Sequence, residues 1–343
     1  MGNHKYAELA LKLRSDIRNG VYSDGERLPS ENELVSDTGY SRQTIRQAIG
    51  ILENEGIVSR IQGSGTYVRK AVPHHRVSTN NIAVVTTYIG EYIFPDILYG
   101  INQVLSHNGY TPLLYATGNR VDNERRILTE LLAKPIDGLI VEGTKTAFPN
   151  PNIDIYDRLS EMGIPVVFIN GFYNTIKKAV YVVADDRAGG RMACENLINK
   201  GCRKIAGIFK SDDIQGHFRY AGYSEALRDA GIAIEDHHIL WYTTENRDIQ
   251  LESTALKVID GCDAVVCYND EVTLKLLKLL GSAETAGLRI ASFDNSTYAQ
   301  LSPVPFVSLS NPKSEIGSKA AKKMVNILNG KAEQNLVLPW KLE

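Results

Sequence analysis

The first seventy residues combine short helical apolar patterns with residues that end helices. One apolar stripe has helical spacing and predicts a first helix, formed by Tyr6, Leu9, Leu13 and Ile17. Gly20 predicts the end of this helix. Ser30 and Glu33 then predict a capping box, in which each side chain satisfies a free backbone donor of a second short helix. Gly39 predicts its end, because glycine adopts the left-handed conformation without steric cost.

A third helix and a hairpin follow. Ser41 suits the N-cap of this helix, whose apolar stripe comprises Ile45, Ala48, Ile49 and Leu52. Its opposite face is polar and basic and carries Arg42, Gln43, Arg46 and Gln47. Residues 57–61 and 66–68 alternate like strands around a turn whose two glycines permit tight bending. Three helices followed by a hairpin predict a winged helix-turn-helix domain over residues 1–70.

Residues 71–80 lack apolar periodicity and contain a proline, so they are predicted to be a linker. From residue 81 to 343 the pattern changes to short apolar strands separated by helices. One set has strands at 82–86, 113–115, 138–141 and 166–169, and a second has strands at 204–209, 264–267 and 288–293. This alternation predicts an α/β fold with parallel sheets in two lobes.

In parallel sheets, ligands bind beyond the carboxyl ends of the strands, so polar and aromatic residues just after strands are candidate ligand contacts. In the first lobe they are Tyr88, Tyr92, Phe94, Glu142, Thr144, Asn170, Phe172 and Tyr173. In the second lobe they are Asp212, Asp213, Gln215, His217, Arg219, Tyr268, Asn269, Asp270, Asp294 and Asn295. Carboxylates, amides and arginine bind vicinal hydroxyls while aromatic rings cover C–H faces, so this set suits a sugar. Helix capping is an equal alternative for Asp212 and Asn269, which precede predicted helices.

The distribution of charge along the chain indicates where DNA would bind. The chain has 38 Lys and Arg against 40 Asp and Glu, a net charge of −2, so it is not basic as a whole. Residues 38–70 nevertheless hold 5 basic and 2 acidic residues, which puts positive charge on the third helix and the hairpin. Each element alone also fits an ordinary solvated surface. Their order and spacing together favour DNA binding.

Composition and motifs narrow the class further. With 43% hydrophobic and 23% charged residues the chain is globular. It shows neither a long apolar run nor a leader before the first helix, so we expect a cytoplasmic protein without a membrane segment. The four cysteines lack zinc-site spacing and are expected to be reduced structural thiols. We also find no nucleophile elbow or phosphate-binding glycine loop, and expect neither enzyme activity nor a metal or cofactor.

Residues 4–70 resemble the GntR superfamily of bacterial winged-helix repressors. The resemblance is carried by Leu-Pro-Ser-Glu-Asn-Glu-Leu at 28–34, Ser-Arg-Gln-Thr-Ile-Arg at 41–46 and Gly-Ser-Gly-Thr-Tyr-Val at 63–68. It implies that the second helix of the helix-turn-helix pair enters the major groove. The predicted DNA contacts are Lys5, Asn32, Ser41, Arg42, Gln43, Thr44, Arg46, Gln62 and Gly63.

Residues 81–340 resemble the sensor of the lactose-repressor family, which is similar to periplasmic sugar-binding proteins. The matching segments are 183–190, 222–227, 267–270 and 292–294. In that family the arginine and aspartate that correspond to Arg219 and Asp294 hold sugar hydroxyls. The predicted effector contacts are Tyr92, Phe94, Glu142, Asn170, Tyr173, Asp213, Gln215, His217, Arg219, Tyr242, Asn269, Asp294 and Lys313.

A GntR-type head on such a sensor is similar to the family of bacterial arabinose repressors. Segments 86–95, 122–126, 136–142 and 208–213 carry this resemblance, which implies L-arabinose as inducer and operator DNA as partner. A repressor that responds to another sugar and a transport-type sugar-binding protein are the alternatives. Some GntR-type heads are fused to a pyridoxal-phosphate domain, but the similarity here is to a sugar sensor. No hinge helix of the lactose-repressor kind is visible in residues 71–80.

Operators for helix-turn-helix proteins are usually two-fold, and the long helices of the sensor, beginning with the one predicted at 94–108, offer an apolar surface, so we expect a homodimer.

Overall fold

The computed structural model describes residues 5–18, 20–23, 25–54, 56–61, 63–69, 78–176, 179–284, 287–311 and 313–342. The chain divides into two compact units, residues 1–77 and 78–343. The predicted linker therefore overlaps the second unit by three residues. In that overlap the backbone N–H groups of Thr79 and Asn80 donate to the carboxylate of Asp137, at 3.0 and 2.8 Å. Residues 70–77 lie outside the described residues, and the predicted absence of a hinge helix falls among them.

The first unit is a winged helix-turn-helix. Its elements are α1 Lys5–Arg18, α2 Glu31–Thr38, α3 Arg42–Asn54, β1 Val58–Ile61 and β2 Gly65–Val68, with β1 and β2 antiparallel. The capping box is present, since Ser30 N donates to Glu33 Oε2 at 2.6 Å and Glu33 N to Ser30 Oγ at 3.3 Å. Gly39 ends α2 with a φ of 68°. The apolar stripe of α3 is fully buried and forms the core with Leu9, Leu13 and Leu34.

The second unit contains two six-stranded sheets. The first lobe has strand order β13-β7-β6-β5-β3-β4, and all neighbouring strands are parallel. Its strands are β3 Asn81–Thr86, β4 Thr111–Ala116, β5 Gly138–Val141, β6 Val166–Ile169, β7 Val180–Ala184 and β13 Leu336–Leu338. Its helices are α4 Phe94–His107, α5 Val121–Ala133, α6 Ile153–Glu161 and α12 Lys313–Leu328.

The second lobe has strand order β14-β12-β11-β10-β8-β9, and among the described strands of this sheet only the β12–β14 pair is antiparallel. Its strands are β8 Ile205–Lys210, β9 Ile239–Tyr242, β10 Ala264–Cys267, β11 Arg289–Phe293, β12 Val307–Ser310 and β14 Lys341–Leu342. Its helices are α7 Asp186–Asn199, α8 Ile214–Asp229, α9 Arg247–Ile259, α10 Asp270–Glu284 and α11 Thr297–Gln300. The α/β architecture predicted from the apolar pattern is thus confirmed.

The chain passes between the lobes three times. The strand pattern had predicted two lobes formed one after the other along the chain, with a single passage between them. The passages lie between β7 and α7, between β12 and α12, and between β13 and β14. Short strands cause the difference, because β13 and β14 are too brief to stand out as apolar runs. Each lobe therefore takes its last strand from the end of the chain.

Helices α7 and α8 pack backbone to backbone at the first passage. A Cβ at Gly190 would overlap the carbonyl of Arg219, and a Cβ at Gly222 would overlap the carbonyl of Arg187. Glycine is required at both positions by this close approach. The two helices consequently hold Asp186, on α7, next to Arg219, on α8.

The helix predicted as a dimer interface is largely used inside the chain. On α4, Ile97, Ile101 and Leu105 are buried against α12, while Tyr99 is 61% exposed. A dimer surface on α4 would therefore have to use its outer face. Across the described residues, no helix has the length and apolar character needed to cross a membrane. All four cysteines are free, and burial raises the pKa of Cys194 and Cys267 to about 12.

Candidate functional site

The carboxyl ends of the two sheets enclose a cavity of about 250 Å³. Its walls come from the segments after β3, β5 and β6 in the first lobe and after β8, β9, β10, β11 and β12 in the second. The structure brings ten predicted effector contacts to these walls, namely Tyr92, Phe94, Glu142, Asn170, Asp213, Gln215, Arg219, Tyr242, Asn269 and Asp294. Nine of the ten were predicted because they follow apolar strands, and Tyr242 was predicted from the family resemblance.

Arg219 is buried and held on several sides. Its Nε donates to Asp186 Oδ1 at 2.8 Å and its Nη1 to the carbonyl of Tyr268 at 2.5 Å. The guanidinium also lies 4.7, 4.4 and 5.0 Å from the ring centroids of Tyr268, Phe293 and Trp340. Burial opposes its charge, but the Asp186 carboxylate raises the pKa of Arg219, so it stays protonated. Such contacts fix the guanidinium before any ligand binds.

Asp294 connects the two lobes through Tyr92. The Tyr92 hydroxyl donates to Asp294 Oδ2 at 2.5 Å and accepts from Asp270 N at 3.3 Å. Burial and the Asp294 charge raise the pKa of Tyr92 well above its ordinary value, so its hydroxyl remains a donor. Tyr92 and Asp294 both have positive φ, at 56° and 93°. Such backbone strain is concentrated at ligand sites in proteins.

Glu142 ties together three segments of the first lobe. Its Oε2 accepts from Thr87 N at 2.8 Å and Thr87 Oγ1 at 2.5 Å, and its Oε1 accepts from Asn170 Nδ2 at 2.8 Å. Burial raises the pKa of Glu142, although these hydrogen bonds oppose the shift. The carboxylate therefore shapes the first-lobe wall and presents only its remaining lone pairs to the cavity.

Every positive charge among the described wall residues has a carboxylate partner. Lys210 Nζ lies 2.5 Å from Asp213 Oδ2, and Arg247 Nη1 lies 2.8 Å from Glu271 Oε1. Burial alone would lower the pKa of Lys210, but Asp213 and then Asp212 raise it. The walls hold three cations, Arg219 included, and five carboxylates. The cavity thus offers no excess positive charge to an anion.

A second contact between the lobes lies at the edge strands β4 and β9. Asn119 Nδ2 donates to Thr244 Oγ1 at 2.6 Å, and Thr244 donates through both N and Oγ1 to Asp212 Oδ2, at 2.9 and 2.8 Å. Asn119 and Asp212 are fully buried. We call Asn119, Asp212 and Thr244 the clasp. It lies across the sheets from the three passages, so it closes the open side of the cleft.

Three predicted effector contacts lie away from the cavity. The Tyr173 hydroxyl is buried behind the first-lobe wall against Glu124 and Thr144. His217 Nε2 donates to the carbonyl of Ser211 at 2.8 Å, and its ring packs on Trp241. The third, Lys313, directs its Nζ to the carbonyl of Asn295 at 3.3 Å. None of the three lies among the residues that line the cavity, so the structure does not bring them to it, and their role as effector contacts stays a prediction.

The capping alternative is resolved differently at its two positions. Asn269 Oδ1 accepts from Val272 N at 3.0 Å and so caps α10, while Asn269 also lines the cavity. Asp212 belongs to the clasp instead. Sequence reasoning missed Lys210, Arg247 and the other wall residues Thr87, Glu91, Ile93, Gly143, Thr146, Gly171, Thr244, Glu271 and Asn311. The apolar run of β9 was the available signal for Thr244 and Arg247, which follow it.

The candidate DNA face lies on α2, α3 and the hairpin. Arg42 Nη2 donates to Asn32 Oδ1 at 2.9 Å, and Arg46 Nε donates to Glu31 Oε2 at 2.9 Å. Both arginines are exposed, as is Gln43. Three further predicted DNA contacts lie on the same unit. Ser41 caps α3, because its Oγ accepts from Thr44 N, and Lys5 Nζ lies 5.6 Å from the centre of the Tyr40 ring. Gly63 is exposed in the turn of the hairpin and has a φ of 78°. Gln62 lies outside the described residues.

Comparison with known proteins identifies both units. Residues 5–68 match the bacterial regulatory proteins of the gntR family, and residues 79–342 match the periplasmic binding proteins and sugar-binding domain of the LacI family. The chain belongs to the LacI sugar-binding family, with a gntR-family head. It is therefore a transcriptional regulator with a DNA-binding head and a sugar-binding type of sensor. The combination predicted from the sequence is confirmed.

Two relatives share this build along nearly their whole length. An arabinose metabolism transcriptional repressor of Halalkalibacterium halodurans is 36% identical over 335 residues, 94% of this chain and 89% of its own. A protein of the same description from Geobacillus stearothermophilus is 36% identical over 332 residues, 94% of this chain and 91% of its own. This LacI-family chain thus shares both domains with described repressors.

Solved structures support the fold. The transcriptional regulator CelR in complex with cellobiose superposes with a TM-score of 0.69 at 22% identity, over 92% of this chain and 98% of its own. A LacI transcriptional regulator from Alkaliphilus metalliredigens in complex with D-xylulofuranose gives 0.64 at 21% identity, over 77% and 97%. At these identities the likeness establishes the architecture of the LacI-family sensor alone.

Proposed function

We propose that this protein represses transcription by binding operator DNA through its gntR-type head, and that L-arabinose in the cleft releases it. The proposal that the ligand is a neutral sugar rests on the ion pairs formed by the cationic residues of the cavity walls. Since Lys210, Arg219 and Arg247 each have a carboxylate partner, the cavity favours a neutral polyhydroxylated ligand over a sugar phosphate or sugar acid.

The size of the cavity supports a monosaccharide. Pockets for small molecules commonly span roughly 300–1,000 Å³, and this one measures about 250 Å³. A five-carbon sugar suits a space just below that range better than a disaccharide does. The two 36% identical relatives are described as arabinose metabolism repressors, which favours L-arabinose among the pentoses.

Calorimetric titration with a matched sugar panel tests the effector. L-arabinose should bind most tightly, D-xylose differs from it in configuration at C4, and D-galactose adds a hydroxymethyl group to the same ring pattern. Arabinose 5-phosphate tests the charge argument and should not bind. Tighter binding of another neutral sugar would replace arabinose in the proposal, while preference for the phosphate would contradict it.

The DNA part is tested with duplexes selected from a random pool by the full-length protein. The proposal expects a two-fold sequence, since the head would act as a pair in a homodimer. L-arabinose should lower the affinity for the selected duplex. Sugar binding without selection of any duplex would favour the transport-type alternative, and sedimentation analysis would measure the homodimer directly.

A further inference from the structure

A cluster of two histidines and a glutamate lies on the second lobe, outside the cleft. Glu235, His237 and His238 occupy a short 3₁₀ turn, Asp236–His238, and the residue before it. Their candidate ligand atoms all lie within 4.8 Å of one another. The function described above uses none of these side chains.

The distances within the cluster match a tetrahedral metal site. His237 Nε2 lies 3.2 Å from Glu235 Oε2, and His238 Nε2 lies 3.8 Å from the same oxygen. Zinc bonds to nitrogen and oxygen measure roughly 2.0–2.2 Å, so two ligands at a tetrahedral angle lie about 3.3–3.6 Å apart. The two separations from Glu235 Oε2 lie on either side of this range, and all candidate ligand atoms lie within 4.8 Å of one another.

His238 is already oriented as a ligand. Its Nδ1 donates to the carbonyl of Val258 at 2.7 Å, with Cys262 Sγ farther away at 3.3 Å. A hydrogen bond from one ring nitrogen to a backbone carbonyl fixes the tautomer and leaves the lone pair of the other nitrogen for a metal. His238 Nε2 thus faces Glu235 as an acceptor, on a side chain that is 14% exposed.

We propose that Glu235, His237 and His238 form a binding site for a divalent transition-metal ion of the zinc class. Two imidazoles and one carboxylate are typical zinc ligands, and a water molecule would complete the coordination. Imidazole nitrogen selects such ions over Mg²⁺ and Ca²⁺, which prefer oxygen ligands. The site departs from the expectation, drawn from cysteine spacing, that the chain binds no metal.

The site lies at the opposite end of β9 from the cleft. The strand begins at Ile239, directly after His238, and ends at Tyr242, which lines the cavity. Metal binding should therefore leave the sugar's position free. Sugar affinity serves as an independent check that each variant below is folded.

The test is calorimetric titration of ZnCl₂ into the full-length protein without an affinity tag. The wild-type protein should bind one more equivalent of Zn²⁺ than the double variant His237→Asn/His238→Asn. The matched control is His107→Asn, at the end of α4, which should bind zinc like the wild type. Glu235→Gln keeps the shape of the side chain and should weaken zinc binding by about tenfold or more.

Identical zinc isotherms for the wild type and the double variant would overturn the proposal. If the double variant does not fold, as judged by circular dichroism and sugar binding, Glu235→Gln decides, and an unchanged zinc affinity in that variant overturns the site. Titration with MgCl₂ should give no binding at the cluster. Equal binding of Mg²⁺ and Zn²⁺ would contradict the assigned ligand chemistry.

Discussion

Arg219 combines two roles that substitution would separate only partly. It lies in the cavity wall, and it also neutralises Asp186 between α7 and α8. Its ring contacts include Trp340, which stands in the passage between β13 and β14. A change at this position therefore affects the junction of the lobes together with the ligand site.

We expect Arg219→Ala to destabilise the second unit by about 3–5 kcal/mol, because it leaves the buried Asp186 carboxylate without its partner. Urea unfolding followed by circular dichroism measures the change. The double variant Arg219→Met/Asp186→Leu removes both charges and should recover much of the loss. Similar stabilities for the single variant and the wild type would show that the ion pair contributes little.

Asp294→Asn is the cleaner probe of sugar binding, since among the described residues Asp294 accepts from the Tyr92 hydroxyl and forms no ion pair. Removing a charged acceptor from a closed site should weaken L-arabinose binding by about 1–3 kcal/mol or more. Asp260→Asn, on the surface at the end of α9, is the control and should bind normally. An unchanged affinity in Asp294→Asn would place the sugar elsewhere in the cleft.

On the DNA-binding face, Arg42→Ala and Arg46→Ala should each weaken operator binding by about 1–3 kcal/mol. Both guanidinium groups are exposed and held by partners on α2, so they are available to bases or phosphates. Sugar affinity should not change. Arg126→Ala on the sensor surface controls for loss of positive charge, and full operator affinity in both head variants would refute the assignment.

At the scale of elements, the contact of α7 with α8 depends on the absence of side chains. Gly190→Ala should cost about 1–3 kcal/mol, because backbone atoms rather than flexible side chains would have to move. Gly50→Ala provides the opposite sign. Gly50 lies within α3, and a Cβ added there would have no neighbouring atom within 4 Å. The substitution should therefore stabilise the first unit by about 0.5–1 kcal/mol. Thermal unfolding of both variants measures this contrast.

The clasp should set how tightly the lobes close, and of its three residues only Thr244 lines the cavity. Asn119→Ala removes its buried donor to Thr244 and Asp212, at a cost of about 1–3 kcal/mol in the closed form. All sugars that bind should therefore weaken by the same factor. Lys145→Ala breaks an exposed ion pair with Glu245 across the same gap and should have a small effect. A change in sugar preference in Asn119→Ala would contradict this role.

Elements also show where sequence reasoning succeeds. Parallel strands end at one edge of a sheet, so residues such as Asn170 and Asp294 could be assigned to the cleft from the apolar pattern alone. Only Asp212 of the clasp was found in this way, because Asn119 lies three residues beyond the end of β4 and Thr244 follows β9, which was not among the predicted strands. Tyr173 satisfied the same rule as Asn170, yet it points into the core. A period-two pattern fixes where a strand ends but not the direction of side chains in the loop that follows.

For the whole molecule, regulation requires that sugar and operator oppose one another energetically. If L-arabinose favours the form that does not bind DNA, saturating operator must weaken sugar binding by the same factor by which sugar weakens operator binding. Calorimetric titration of sugar with and without operator measures the first factor, and titration of operator with and without sugar measures the second. Equal sugar affinities would mean that sugar does not regulate DNA binding, and tighter binding on DNA would make the sugar a corepressor.

The positions of β13 and β14 in the sequence affect the order in which the two units can complete their folding. β13 and β14 lie within residues 336–342, and each adds the outermost strand to a different lobe. During synthesis domains fold as units with the N-terminal one first, so the winged helix is complete while both sensor sheets still await a strand. A ribosome that stalls shortly before residue 336 therefore holds a finished DNA-binding head on a sensor that cannot yet complete either lobe.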